Sequence, residues 1–492
     1  MKDSKTFLDT VCEQIRFQKA HDFVKKELQD HITDQAAAFM EQGIEKETAL
    51  QKAVAEMGDP VLVGTELDRI HRPKLEWRIL IFIGLLLFAH FLIQYIFFKE
   101  VFYTAPLWKN GIFLLFSVGV MLFFYYLDFT ILAKHIKLIY IGYVIVLFLC
   151  YRFTWTSGYF LSMDLNETFS GVMGGFTDIY FIISGTFDSD FPIKLPVFLY
   201  FFPVIFVGLL YHCRGKSYKS LLLCSCSFFP LLFFFFGFLL FKAPVIIIGI
   251  VSIMATFISI HKNWFSVKKF YAVCLVCIIT LFYIFLLYYL DKVGYDSTIR
   301  FYDYMNYIQT ILKSNLKASC LLEKGKDIFI PQYYGNSIIN AFDFLKEWAE
   351  YFPAYLLHYG GWLVLLPILA IYFFFMGKCF FFIKKQKSQL GFLTATVILL
   401  LFFGISIWNI AANTGFFIII NPLGIPFFST SDSINIVFFA LIGILLSVFR
   451  TGSITTDACI KIEKKKRKPW ISLSENSIHI FIPLPFKRKK RS

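Results

Sequence analysis

Long apolar stretches alternate with short polar loops along most of the chain, from Trp77 to Phe449. A helix of about 20 apolar residues is long enough to cross the hydrocarbon core of a bilayer. The pattern therefore predicts an all-α, polytopic membrane protein of about ten transmembrane helices, preceded by a small helical domain. The predicted spans are residues 77–98, 111–127, 138–153, 195–211, 221–241, 244–260, 270–290, 352–376, 391–410 and 434–449.

The residues before the first span are rich in charge and contain no long apolar run. Phe7, Val11 and Ile15 recur there at helical spacing. Gly58-Asp59-Pro60 is typical of a helix end, because Gly accepts the C-cap conformation and Pro cannot continue a helix. The predicted parts are a cytoplasmic helical domain at 1–76, a transmembrane domain at 77–450 with a large outer loop at 291–351, and a basic cytoplasmic tail at 451–492.

Charge gives the predicted orientation. Lys and Arg lie in alternate loops and in the tail, whereas the loop 154–191 holds Asp and Glu without any Lys or Arg. Because positive loops stay in the cytoplasm, we expect both termini to be cytoplasmic. The formal net charge of +14 includes the runs 464–468 and 487–491 just after the last span. That placement favours attraction to anionic lipid, and no nucleic-acid partner is predicted.

Three carboxylates near the end of the large outer loop are the first candidates for chemistry. Asp343, Glu347 and Glu350 are spaced so that a helix would place them on one face, at the outer end of the eighth span. One interpretation is a general base or cation site facing a lipid-linked substrate. The other is a solvated acidic face on a surface helix.

A second candidate region lies between the last two spans. It begins with Asn409, Asn413 and Gly415 and continues through Gly424-Ile-Pro-Phe-Phe-Ser429. Pro, Gly and small polar residues at membrane depth are tolerated where the backbone is buried in protein or lines a cavity. The sequence leaves two interpretations open, a re-entrant or cleft-lining segment and a plain tight loop.

The cysteines carry little information in the sequence. Most of them, including Cys213 and Cys224, fall inside apolar runs. Cys274 and Cys277 lie within one predicted span without His or further Cys partners, which argues against a metal or redox site there. No disulfide framework is predicted.

The stretch Asn409-Ile-Ala-Ala-Asn-Thr-Gly415, followed by Gly424-Ile-Pro-Phe-Phe-Ser429 and Leu441-Ile-Gly-Ile-Leu-Leu-Ser-Val-Phe-Arg450, resembles the C-terminal signature of the SEDS family of FtsW, RodA and SpoVE. The predicted topology and the outer loop before the eighth span are similar as well. The segment Leu67-Asp-Arg-Ile-His-Arg-Pro73 looks like part of the helical prefix domain of some Firmicute members.

The resemblance implies a bacterial plasma-membrane protein that polymerises lipid-linked disaccharide-pentapeptide into peptidoglycan during growth, division or sporulation. It implies two partners, a polyprenyl-pyrophosphate-linked precursor and a transpeptidase or other division-complex membrane protein. Glu350-Tyr-Phe-Pro-Ala354 falls where the family has its proposed catalytic Asp, so Glu350 becomes the candidate general base. No cofactor is implied with certainty, and a divalent cation is left open. The candidate substrate-binding residues are Asn409, Gly415, Pro426, Ser429 and Asp432.

Departures from the family pattern keep other functions open. The catalytic Asp is replaced by Glu350, and Ser-Tyr-Gly-Gly-Ser is replaced by Ser429-Thr-Ser-Asp-Ser433. One alternative is a non-catalytic membrane scaffold or regulator of a transpeptidase or division complex. The other is a transporter of a lipid precursor or small solute, which would need ionisable groups within the spans.

Overall fold

The fold is taken from a computed structural model of the whole chain. The structure describes residues 2–73, 76–97, 107–162, 195–231, 242–293, 309–317, 329–331, 338–340, 351–415, 423–429, 432–452, 455, 457, 471–474 and 477–480. It divides into two compact units, Met1–Ile460 and Lys461–Ser492.

The first residues of the larger unit form a helical bundle. Its helices are α1 (Lys2–Gln14), α2 (Gln18–Glu41), α3 (Lys46–Glu56) and α4 (Pro60–His71). Their apolar faces share a buried core, and the side chains of Val11, Ile32 and Ala53 in it are fully buried. At the start of α4 the Asp59 carboxylate accepts a hydrogen bond from the Val61 N–H at 3.0 Å, with Pro60 at the first helical position.

The apolar helices follow. They are α5 (Trp77–Phe97), α6 (Leu107–Tyr126), the short α7 (Ile131–Lys134), α8 (Ile136–Ser162), a 3₁₀ helix (Leu195–Phe201) that continues into α9 (Phe202–His212), α10 (Tyr218–Cys226), α11 (Lys242–His261), α12 (Lys269–Val293), α13 (Phe352–Lys384), α14 (Gln389–Asn413) and α15 (Asp432–Thr451). A further helical segment covers residues 309–317.

Among the described residues, five helices are long and apolar enough to cross a membrane, namely α11 to α15. Four shorter apolar segments, within α5, α6, α8 and the 3₁₀–α9 pair, coincide with the first four predicted spans. The chain is therefore a largely helical membrane protein. The fifth predicted span, 221–241, is described only in part: its first residues lie in α10, which ends at Cys226, and residues 232–241 lie outside the described part.

Helix α14 lies at the centre of the apolar bundle. It packs against α9, α11, α13 and α15, and its side chains Val397, Leu401 and Ile405 are fully buried. Helix α15 runs along α6, where the Ser447 hydroxyl donates to the Leu127 carbonyl. Helix α12 is mostly exposed, as expected for a helix whose face is covered by lipid.

Strands are short in the described part of the chain. Phe329–Pro331 (β1) pairs antiparallel with Ile338–Asn340 (β2), within the predicted outer loop. In the smaller unit, Ile471–Ser474 (β3) pairs antiparallel with Ser477–Ile480 (β4). The all-α prediction is thus confirmed for the bulk of the described fold but missed both hairpins.

Candidate functional site

A buried turn, Ile425 to Phe428, lies between α14 and α15 in the chain. The Phe428 N–H donates to the Ile425 carbonyl at 2.9 Å, with Pro426 and Phe427 in the two central positions. Phe427 has a φ of 74°, so the turn has the geometry of type II, which normally places Gly at that position. A bulky residue in the left-handed region costs about 1–2 kcal/mol, so other contacts must hold it there.

Aromatic packing supplies those contacts. The Phe427 ring lies 5.5 Å from Phe375 of α13 and 5.7 Å from Phe439 of α15 between ring centroids, both nearly edge to face. The next ring, Phe428, stacks on Phe352 at 5.9 Å. The two neighbouring phenyl rings therefore pack the turn against α13 and α15.

Buried asparagines join this turn to the surrounding helices, and we call Asn315, Asn409, Asn413 and Asn435 the asparagine cluster. The Asn409 amide donates to the Leu423 carbonyl just before the turn, and the Asn435 amide donates to the Ser429 carbonyl just after it, at 2.7 Å. The Asn413 amide donates to the Asn409 side-chain oxygen at 3.1 Å. Non-helical backbone buried among helices needs such partners, because lipid offers none.

The cluster also reaches the first turn of α13. The backbone N–H of Ala354 donates to the Asn413 Oδ1 at 3.0 Å, and the Ala354 carbonyl accepts from the Asn315 amide at 3.0 Å. The first N–H groups of a helix have no partner within that helix, so Asn413 caps α13 from another helix. Glu350 comes directly before Tyr351, the N-cap residue of α13.

Gly415 marks the point where α14 meets the segment 309–317. Its φ is 69°, and a Cβ placed on it would lie 2.7 Å from the Gln309 carbonyl oxygen and 3.0 Å from the Lys313 nitrogen. Only glycine accepts both this backbone conformation and this close approach.

The structure brings together four of the sequence-predicted site residues. Asn409, Gly415, Pro426 and Ser429 all lie in or beside the asparagine cluster, and all are buried. Asp432 is the first residue of α15, but its side chain lies outside what the structure describes, and so does Glu350 entirely. Asp343 and Glu347 also lie outside it.

Three polar residues near the site were not among the candidate substrate-binding residues, although one of them, Asn413, lies in the second candidate region of the sequence. Asn315 and Asn435 gave no signal in the sequence, because each is a single Asn without a motif. Asn413 sits one helical turn from Asn409, and that spacing alone places both on one face of α14. The amides and the hydroxyl of Ser429 can orient a polar ligand but cannot by themselves abstract a proton at neutral pH.

Within the described part of the chain, no group of three or more His, Cys, Asp or Glu side chains is placed to hold a metal ion. Neither protein-family models nor characterised proteins match the chain when compared with it.

Proposed function

We propose that this chain is a SEDS-like protein of a bacterial plasma membrane that acts in peptidoglycan synthesis. In this proposal it polymerises lipid-linked disaccharide-pentapeptide beside a transpeptidase or division-complex partner. Ten spans cross the membrane, both termini are cytoplasmic, and the residues that follow the last span attract anionic lipid.

One observation carries the proposal. The Asn413 Oδ1 of α14 accepts the Ala354 N–H of α13 at 3.0 Å. Asn413 lies in the stretch that resembles the family signature, and Ala354 closes the Glu350-Tyr-Phe-Pro-Ala354 stretch that resembles the family's catalytic segment. Two stretches that each resemble the family pattern, separated by 59 positions in the chain, meet in a single buried hydrogen bond.

In the proposed mechanism Glu350 accepts the proton of the acceptor-sugar hydroxyl. The hydroxyl oxygen then attacks the anomeric carbon of the donor, and the bond from that carbon to the pyrophosphate breaks. A general base contributes about 10²–10⁴-fold when it is held within hydrogen-bond reach. The asparagine cluster would act on this step indirectly, since it fixes the first turn of α13, which follows Glu350 in the chain.

A second candidate is a non-catalytic scaffold of a division or transpeptidase complex, and burial favours it. Asn409 and Ser429 are each only 1% exposed, and their hydrogen bonds tie together the protein's own helices and turn. A Cβ on Gly424 would lie 2.7 Å from the Ser429 Cβ, so the two ends of the turn are packed directly against each other. Residues used in this way keep a fold without touching a substrate.

The two candidates separate in cells that depend on this chain for wall synthesis. Under the proposed function, Glu350→Ala abolishes wall-polymer synthesis at normal protein level, whereas Asp343→Ala leaves synthesis intact. Under the scaffold function, Glu350→Ala leaves wall-polymer synthesis unchanged, and deletion of residues 1–76 abolishes wall-polymer synthesis. Loss of synthesis with both Ala variants would argue against a specific role for Glu350.

A further inference from the structure

Two short loops lie side by side at one end of the apolar bundle. The first loop, 213–217, joins α9 to α10, and the second loop, 262–268, joins α11 to α12. They are connected by hydrogen bonds from the N–H groups of Gly215, Ser266 and Lys268 to the Trp264 carbonyl, the Lys216 carbonyl and the Tyr218 hydroxyl, at 2.7, 3.0 and 3.0 Å respectively. The loops therefore form one surface, which we call the paired-loop surface and define as residues 213–219 and 262–269.

The backbone of this surface is held in one shape. Trp264 is 1% exposed, and Phe265 beside it is buried as well. The Trp264 ring lies 5.6 Å from the Tyr211 ring of α9 between centroids, edge to face. Gly215 and Asn263 have positive φ angles of 75° and 57°, so each loop turns within a few residues. The side chains of the paired-loop surface are thus presented by a fixed backbone.

The paired-loop surface carries four exposed lysines, Lys216, Lys219, Lys268 and Lys269. Among the described residues, none of their ammonium groups has an ion-pair partner or an aromatic ring beside it. The sequence from 195 to 290, which includes both loops, contains no Asp or Glu. These four positive charges are therefore not neutralised by neighbouring parts of the chain.

Two other cations of the same surface do have partners. The Arg214 guanidinium pairs with the Asp457 carboxylate at 2.6 Å. The Lys262 Nζ lies 3.3 Å from the centre of the Phe392 ring, a cation–π contact. The four remaining lysines repel one another, so an external anion bound beside them would lower the electrostatic energy.

The position of the paired-loop surface indicates which anion it meets. Two apolar helices end at this surface and two begin, and α11 and α12 are each long enough to cross a membrane. In a bundle that crosses a bilayer, the helix ends lie at the depth of the lipid headgroups. Phe270 and Tyr271 at the start of α12 are exposed, and amphipathic aromatic residues are typical of that depth.

We propose that the paired-loop surface binds the phosphate-bearing headgroup of an anionic phospholipid. Ammonium groups donate charge-assisted hydrogen bonds to phosphate oxygens, and the fixed backbone leaves only the lysine side chains to be ordered on binding. Each Lys near an anionic membrane surface contributes a factor of about five to the affinity. The binding is independent of the proposed wall-synthesis function and of the basic tail, because it depends on residues 213–219 and 262–269 alone.

The test uses the purified full-length protein in a neutral detergent and native mass spectrometry, which counts bound lipids. The probes are phosphatidylglycerol and zwitterionic phosphatidylcholine with the same acyl chains. We expect the wild type to retain phosphatidylglycerol in preference, and less of it as salt is added. The double variant Lys216→Gln with Lys268→Gln should lose about 25-fold in affinity for phosphatidylglycerol, two factors of about five.

The matched control is the double variant Lys384→Gln with Lys385→Gln at the end of α13. Both lysines are exposed, but their Nζ atoms lie 4.6 and 5.3 Å from the centres of the Phe380 and Phe382 rings. The control therefore removes the same charge from cations that already have an aromatic partner. We expect it to lose far less affinity for phosphatidylglycerol than the variant of the paired-loop surface.

A second pair, Lys219→Gln with Lys269→Gln, should lose affinity as the first pair does. The thermal midpoints of all variants without added lipid should match that of the wild type, because no described hydrogen bond uses these four ammonium groups. A lower midpoint would make the lysines structural and would contradict the proposal.

Two further results would overturn it. Equal affinity of the wild type for the two lipids would exclude headgroup recognition, and equal losses in the control and the surface variants would show only a general attraction by basic loops. A parallel titration with polyglutamate tests for an acidic protein segment. Binding of polyglutamate without a preference for phosphatidylglycerol would assign the surface to a protein partner and refute the lipid proposal.

Discussion

The side-chain oxygen of Asn413 accepts the backbone N–H of Ala354 at 3.0 Å, so one helix caps the start of another. A capping side chain normally precedes its own helix in the chain. Here the side chain of the N-cap residue Tyr351 makes no capping hydrogen bond to α13, and the cap comes from α14 instead. The position of the first turn of α13 therefore depends on long-range packing rather than on the local sequence.

Replacing Asn413 by Ala should destabilise the protein. The change leaves the Ala354 N–H without its partner and removes the donor to Asn409 in a buried site. A buried polar group left unpaired costs about 1–3 kcal/mol, so the thermal midpoint in detergent should fall clearly. The matched control is Thr414→Ala, because Thr414 is half-buried and its hydroxyl bonds to the Ala411 carbonyl within the same helix end. Equal midpoints for the two variants would refute the capping role.

The strain at Phe427 can be measured by comparing two substitutions. Both Phe427→Ala and Phe427→Gly remove the ring that packs against Phe375 and Phe439, so both should be less stable than the wild type. Only Gly relaxes the positive φ of 74°. We therefore expect the Gly variant to be more stable than the Ala variant by about 1 kcal/mol, measured by thermal unfolding. The opposite order would contradict the left-handed conformation.

Two glycines should respond oppositely to substitution by alanine. At Gly415 the new Cβ would meet the Gln309 carbonyl at 2.7 Å and an unfavourable φ, so we expect a loss of folded protein. Gly377, in the middle of α13, has no atom within 4 Å of the new Cβ. Because Ala favours helix more than Gly does, Gly377→Ala should stabilise by up to about 1 kcal/mol. Fluorescence-detected size-exclusion chromatography gives both yields, and similar losses at both positions would contradict this account.

Asp457, in the chain that follows α15, binds the start of α14 and Arg214, which lies just after the end of α9. Its carboxylate accepts the Gln389 N–H at 2.9 Å and the Ser388 hydroxyl at 3.1 Å at the start of α14, and it pairs with Arg214 at 2.6 Å. Asp457→Ala removes a cap and should lower stability by about 1–2 kcal/mol. Asp457→Asn keeps an acceptor and should cost less. Equal thermal midpoints for the wild type and Asp457→Ala would rule out this role.

The sequence predicted much of the membrane fold because apolar length is a strong signal. The last four predicted spans lie within α12 to α15, although α13 runs on to Lys384, beyond the predicted end at 376. The helical spacing of Phe7 and Val11 likewise corresponds to the buried face of α1, and Ile15, which follows directly after α1, is buried in the same core. In each case a local pattern decides the element, because lipid or a core must cover every apolar face.

The site was only partly predictable. The signature stretch indicated Asn409, Gly415, Pro426 and Ser429, and the structure gathers them. The roles of Asn315 and Asn435 depend on contacts between distant segments, such as the 3.0 Å bond from Asn315 to the Ala354 carbonyl. No periodicity in one segment encodes a partner in another.

The most direct test of the proposed function is polymerisation of lipid-linked disaccharide by the purified protein with its transpeptidase partner, in the wild type and in Glu350→Gln. Gln keeps the shape of the side chain but cannot accept the proton as a carboxylate does. The account predicts glycan strands from the wild type and none from Glu350→Gln. Folded wild-type protein that makes no strands beside an active control polymerase would contradict it.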